Sequence, residues 1–290
     1  MATDSTPNGR SAAVTGAGGG LGRETALRLA SMGYRVFGIA RKDKDVAEVE
    51  AASAGAVAMS ICDVTDEAAV NTWARSVSST LGPRGLDVLV SNAGILTVGP
   101  METIPLHSVR YAFEVNVFGS LAVINAFLPA LRAARGRIVQ VGSMTGSFPV
   151  PFAGPACASK AALESFAAAY RTELKPFGID FVMARPGNMA TGGPAKVTTD
   201  LQEASESMSP EQRSLYGTEF GAAAAALDEM QHGGLDVALA ADYVIDAIQR
   251  TPAPIAVAVG AEAENILKLV REKTDAELDA MRREFLGLGA

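Results

Sequence analysis

The stretch from Gly142 to Lys160 reads GSMTGSFPVPFAGPACASK and carries a hydroxyl, Ser143, and an amine, Lys160, where both could act on one ligand. The apolar run Gly136 to Val141 (GRIVQV) reads as a buried strand that delivers Ser143 at its C-terminal end. In an open parallel sheet, ligands bind beyond that end of the strands. The loop Phe148, Pro149, Val150, Pro151, Phe152 follows, and a helix carrying Lys160 is expected from about Gly154. One turn earlier, on the same helix face, stands Ala156, whose methyl has no proton to give. A second stretch suits anions. The short apolar run Ser11 to Val14 leads into Thr15-Gly16-Ala17-Gly18-Gly19-Gly20-Leu21-Gly22, followed by a helical stripe of Leu21, Ala26, Leu29 and Ala30. Strand, glycine turn and helix N-terminus together let the backbone approach a pyrophosphate and aim free amides at it.

The elements that must hold these residues alternate. Strands are expected at Arg35 to Ala40, Ala56 to Ile61, Leu86 to Val90, Gly136 to Val141 and Asp180 to Ala184. Helices are expected from Thr65, read as an N-cap, over Leu106 to Ala134, and from Gly154 to Lys175. Such repetition implies an α/β fold, a Rossmann-type doubly wound parallel sheet covered on both faces. After Arg185-Pro186-Gly187 the rhythm breaks, and residues 188–235 read as a helical insertion of two or three helices. A helix near Asp236 to Arg250, a strand Ile255 to Val259 and a charged terminal helix follow, the last expected to be a solvated surface element. The whole, 1–290, is expected to form a single domain with a flexible tail at 1–10.

Composition removes several classes of function. A net charge of −7 and a pI near 5.0 leave no basic surplus to meet phosphates, which argues against nucleic acid. No apolar run is read as approaching the ~18 residues that would suggest a membrane span, and the polar start MATDSTPNGRS does not read as a signal peptide. Two cysteines and two scattered histidines, His107 and His232, make neither a disulfide framework nor a metal site. The expected setting is reducing and cytoplasmic.

Ser143, then Cys157-Ala158-Ser159-Lys160 and the continuation CASKAALE, resemble the active site of the short-chain dehydrogenase/reductase family. The family pattern is a serine and then Tyr-x-x-x-Lys, and the tyrosine position is Ala156. The resemblance runs over 11–191. Thr15 to Gly22 fits the Thr-Gly-x-x-x-Gly-x-Gly of the family, with Thr15, Gly16, Gly18, Gly20, Leu21 and Gly22 as coenzyme contacts. Asp63 and Val64 fit the family's adenine contacts, and Asn92-Ala93-Gly94 shapes the same pocket; the plainer alternatives are a helix cap and a turn. Pro186-Gly187 with Thr191 fits the segment that binds the nicotinamide carboxamide. By the same resemblance Lys160 holds the ribose hydroxyls, Ser143 hydrogen-bonds the substrate oxygen, and Asn116 anchors a proton-relay water.

The end of the second strand, Ala40-Arg41-Lys42, has cations where an acidic residue would select NAD(H). Arg41 can take a 2′-phosphate bidentately, which points to NADP(H), with NAD(H) as the other possible coenzyme; alternatively Arg41 is a solvated loop charge. The implied reaction interconverts a hydroxyl with a ketone or aldehyde. Ala156 cannot transfer the proton. That is the mark of an engineered, substrate-trapping exchange, of a non-catalytic coenzyme-binding sensor, or of a reaction using Ser143, Lys160 and water. Met144, Phe148, Val150, Phe152 and Met189 border either an apolar substrate pocket, for a hydrophobic alcohol or ketone, or the core. The wording around Ser209-Pro210-Glu211 and Tyr216 loosely resembles the hydroxysteroid and retinol dehydrogenase branch. The insertion reads as a lid hinged at Gly192-Gly193, and the family habit of pairing through two long helices implies a homodimer or homotetramer.

Overall fold

The computed structural model describes residues 9–190 and 194–288, with backbone alone at 194–197. Seven parallel strands form one sheet in the order β3-β2-β1-β4-β5-β6-β9. They are β1 (Ser11–Val14), β2 (Arg35–Ala40), β3 (Val57–Ile61), β4 (Val88–Ser91), β5 (Arg137–Val141), β6 (Asp180–Pro186) and β9 (Ala256–Val259). Strand order reverses between β1 and β4, and this is where a doubly wound sheet opens its crevice.

Alternate residues of the strands feed two cores. Val14, Val36, Val90, Val139 and Val182 face α1 (Gly20–Ser31) and α9 (Val237–Gln249). Leu89, Ile138, Phe181 and Met183 face α3 (Glu67–Leu81), α5 (Gly119–Ala134) and α6 (Gly154–Leu174). Trp73 of α3 and Phe127 of α5 meet edge to face, with centroids 4.9 Å apart. The strand bounds match the sequence expectations to within two residues. One helix, α2 (Asp43–Ala52), escaped them: only Val49 of it is buried, so it carries no apolar stripe to see.

Three local expectations need correction. The N-cap of α3 is Asp66, whose carboxylate accepts from the amide of Ala69 at 2.9 Å, and not Thr65. Leu106–Ala134 contains an 18-residue stretch with mean hydropathy 1.6, long and apolar enough by length and composition to cross a membrane. In the fold it is α4 (Leu106–Phe113), a π-helical turn (Glu114–Phe118) and α5, and it buries Val123, Ile124, Phe127 and Leu131 against the sheet. The terminal segment is two helices, α10 (Ala261–Glu272) and α11 (Asp275–Phe285), separated by a capping box of Thr274 and Glu277. The amide and hydroxyl of Thr274, with Lys273, hold the Glu277 carboxyl down to about 2.

These two helices are not merely solvated. Ile266, Leu267 and Leu278 bury Met144, Phe148, Val150 and Cys157, and Phe148 meets Phe285 at 5.8 Å. The loop after Ser143 is thus backed by the C-terminus. The insertion contains α7 (Pro194–Glu206) and α8 (Pro210–His232), the latter started by a Ser209–Gln212 capping box. It leaves and rejoins the body through a two-residue parallel pair, β7 (Met189–Ala190) with β8 (Leu235–Asp236).

Candidate active site

Thr15 is the buried tie across the crevice. Its hydroxyl accepts from the amides of Asn92 (2.9 Å) and Ala93 (3.0 Å), while Asn92 Nδ2 donates to the Thr15 carbonyl at 3.1 Å. The glycines divide by what surrounds them. Gly16 has φ +65°, and a Cβ there would stand 2.8 Å from Asn92 Nδ2; one on Gly22 would stand 2.3 Å from the Gly16 carbonyl. Those two let chain segments close up. A Cβ on Gly18 would meet Ala40 at 2.8 Å, so the turn sits beside the strand end that bears Arg41. Gly19, just before Gly20 opens α1, faces open space, and that gap is the cradle an anionic ligand would fill. Leu21 is buried, so any contact it makes there is through its backbone.

Arg41 is exposed at the end of β2, with Nη1 3.5 Å from the Tyr111 hydroxyl. It lines a cleft of about 570 Å³ with Thr97, His107 and Tyr111, closed on one side by Glu203 of α7. Asp63 accepts from the amide (2.9 Å) and hydroxyl (2.8 Å) of Thr65, an Asx turn leading into α3. Val64 is buried, and a Cβ on Gly119 would strike it at 2.7 Å.

On the other side of the switch point, Ser143 caps a short 3₁₀ turn (Met144–Gly146). Its oxygen accepts from the amide (3.1 Å) and hydroxyl (2.9 Å) of Thr145, and its own proton points to the Pro186 carbonyl at 3.4 Å. Lys160 Nζ donates to the Val141 carbonyl at 3.2 Å. Lys160 keeps some exposed surface, but its ammonium sits deep, and desolvation lowers its pKa from the ordinary 10.5 to about 8. A Cβ on Gly94 would lie 3.5 Å from Lys160 Nζ and 3.2 Å from Asn116 Oδ1, so the 92–94 loop meets both. Ala156 is buried on α6, and its carbonyl accepts from Ser159 Oγ at 2.7 Å.

Asn116 lies in the π-helical turn and is fully buried. Its Nδ2 donates to the Ile95 carbonyl (3.0 Å) and Ser159 Oγ (2.9 Å), and its Oδ1 accepts from the Ile95 amide (2.7 Å). Its own carbonyl is taken by the Ser120 hydroxyl at 2.9 Å. The side chain is therefore a clamp joining the 92–95 loop to α6, with no N–H left over.

The residues left open between substrate pocket and core divide into two clusters. Met144, Phe148 and Val150 belong to the core under α10 and α11, while Phe152 turns the other way. Phe152 joins Leu96 and Val98 against Leu201, Met208 and Phe220 of the insertion, and its ring meets Phe220 at 5.4 Å. Met189 packs near Leu235 at the base of the insertion. Thr191 and the Gly192-Gly193 hinge lie outside the described residues.

Sequence patterns missed several supports. Gln140 Nε2 shares the Val141 carbonyl with Lys160, at 3.2 Å, and also donates to the Ser91 carbonyl at 3.0 Å. Glu164, one turn past Lys160, forms a two-point pair with Arg185 at 2.8 and 2.6 Å, fixing α6 to β6. Glu262 reaches from α10 to Asn188. Long sequence separation hides all three; only the spacing of Glu164 from Lys160 was there to be noticed.

With this geometry in place, the likenesses to known proteins become informative. A family model described as short chain dehydrogenase matches residues 10–202. The chain is 32% identical to an NADPH-dependent 3-dehydrocapnine reductase from Ornithobacterium rhinotracheale, over 79% of this chain and 80% of that one. It is 33% identical to retinol dehydrogenase 16 of Mus musculus, over 71% and 66% respectively. A crystal structure of a short chain dehydrogenase from Burkholderia cenocepacia J2315 in complex with NADP superposes with a TM-score of 0.71, at 25% identity, covering 94% of this chain and 96% of that one.

Proposed function

The chain belongs to the short-chain dehydrogenase/reductase family of oxidoreductases, and from that premise we propose that it is an NADP(H)-dependent protein whose crevice handles a hydroxyl or carbonyl on an apolar small molecule. The observation that carries this reading is the meeting of the open glycine cradle, Ser143 and Lys160 at the C-terminal ends of β1, β4 and β5. The bound coenzyme would supply the hydride donor or acceptor. Thr15 to Gly22 would hold its pyrophosphate, Asp63, Val64 and Asn92 to Gly94 its adenosine, and Lys160 its ribose. Pro186, Gly187 and Thr191 would take the carboxamide. Arg41 would meet the 2′-phosphate, which its exposed position beside the glycine turn allows.

Ser143 would turn its proton from the Pro186 carbonyl to the substrate oxygen. Nothing at 156 can then move a proton, so turnover falls by the ~10²–10⁴-fold that general acid–base catalysis contributes. Residues 188–235 would act as a lid on a single domain, and Ile95, Leu96 and Val98, which line the cleft with Arg41, support an apolar substrate. Phe118, exposed at the end of the π-helical turn, and Phe166, exposed on α6, favour association with further copies of the chain. The buried free thiols Cys62 and Cys157 fit a cytoplasmic setting.

Fluorescence titration with NADPH and NADH, followed by a carbonyl-reduction screen on the Ala156→Tyr variant, tests the reading. Tighter NADPH binding and a large gain in turnover support it. Coenzyme binding without any gain would make the chain a coenzyme-binding protein on this fold, and no binding of either coenzyme would reject both readings.

A further inference from the structure

We infer that Glu262, on the first turn of α10, is a positioning residue for the nicotinamide half of the coenzyme site; the inference rests on the coenzyme reading above. Its carboxylate spans Asn188, with Oε2 accepting from the backbone amide at 2.8 Å and Oε1 from the side-chain Nδ2 at 2.9 Å. Two charge-assisted bonds to one residue fix both place and orientation, which a single bond would not. The carboxylate also presses on the preceding residue, since a Cβ on Gly187 would stand 2.6 Å from Oε2. A side chain at 187 would push that carboxylate off Asn188, so the glycine and the Glu262–Asn188 contact go together.

The rest of the segment is held from other sides. The Gly187 amide donates to the Val259 carbonyl at 3.3 Å, and the Asn188 carbonyl accepts from the Leu235 amide at 2.9 Å. Two residues before Asn188, the Pro186 carbonyl receives the Ser143 proton. Glu262 thus sets the path of the chain that connects the serine, the carboxamide contacts and the base of the insertion.

The test compares two ligands that differ in the half of the site they reach. NADPH is titrated by its nicotinamide fluorescence, and 2′,5′-ADP, which lacks nicotinamide, by calorimetry. Wild type, Glu262→Ala and Glu262→Gln are compared, with hydrogen exchange of residues 186–190 followed in each without ligand. Glu262→Ala is expected to weaken NADPH roughly tenfold, the effect of losing about one charged hydrogen bond. Binding of 2′,5′-ADP should stay within about twofold. Glu262→Gln keeps an acceptor for one of the two N–H groups and should fall between, and exchange at 186–190 should rise in the same order. Equal losses for both ligands, or unchanged NADPH affinity with unchanged exchange, overturn the inference alone. A wild-type chain that binds neither ligand overturns the coenzyme reading and this inference with it.

Discussion

At position 156 a methyl occupies the place on α6 where the family has a phenol, yet the groups around it are kept in order. Ser143, Thr145 and Lys160 hold hydrogen bonds independent of residue 156, so Ala156→Tyr removes none of them. The expected gain in turnover is ~10²–10⁴-fold, read from NADPH consumption with an apolar ketone or aldehyde. Lys160 makes a second prediction. Its native pKa of about 8 lies below its ordinary 10.5, so the native chain binds this proton less tightly than the unfolded chain. The resulting cost is full below about 8 and gone above 10.5, and stability rises with pH across that window. Lys160→Met should therefore stabilise the chain at pH 7 by a few kcal/mol in urea unfolding, and that advantage should shrink as pH climbs through the window. No change in the difference with pH would contradict the desolvated amine. Asn116→Ala should cost roughly 2–4 kcal/mol, because it orphans both polar groups of Ile95 and breaks the tie to Ser159. Ser143 and Lys160 were legible because their chemistry follows from side-chain type and spacing. The use of Asn116 was not, since its partners Ile95 and Ser159 are distant in sequence and carry no signal by themselves.

Among elements, the insertion is the one whose packing differs most from the rest. It packs on the body through a small cluster, Leu201, Met208 and Phe220 on Val98 and Phe152, separate from the two large cores. Phe152 holds φ +61°, unusual for a bulky side chain, while its carbonyl takes the Gly99 amide at 2.8 Å and its ring rests on Phe220. Removing that ring by Phe220→Ala should weaken the docking of the insertion by ~3–5 kcal/mol, the usual cost of emptying such a site. Hydrogen exchange across α7 and α8 should accelerate while the amides of β1, β4 and β5 stay protected. Uniform acceleration would mean that insertion and sheet open together. The strands and long helices were readable from periodicity because each has a buried stripe. The division of the terminal segment at Lys273–Thr274 was not, because a capping box inside a charged run resembles ordinary helix surface.

For the molecule as a whole, the surprise is how far the C-terminus supports the active centre. The loop after Ser143 has its apolar side chains seated on α10 and α11, so residues that composition alone left open between pocket and core belong to the core. Leu278→Ala should lower stability by ~2–5 kcal/mol and loosen the 144–152 loop, measurable as a lower Tm together with weaker coenzyme binding. A lower Tm with coenzyme affinity intact would show that the support is only mechanical. The fold itself was legible, since alternating strands and helices leave little choice but a doubly wound sheet. Its two flanks were less so, because Glu164–Arg185 and Glu262–Asn188 join segments that only folding brings together. The two-residue pair β7–β8 carries a last implication. Both stems of the insertion are pinched side by side, and a Cβ on Gly234 would strike the backbone of Asn188 and Met189 at 2.8 Å. Whatever is spliced between those stems can lengthen, shorten or change its lining without the frame noticing, so a new diet for this scaffold can evolve as a cassette exchange.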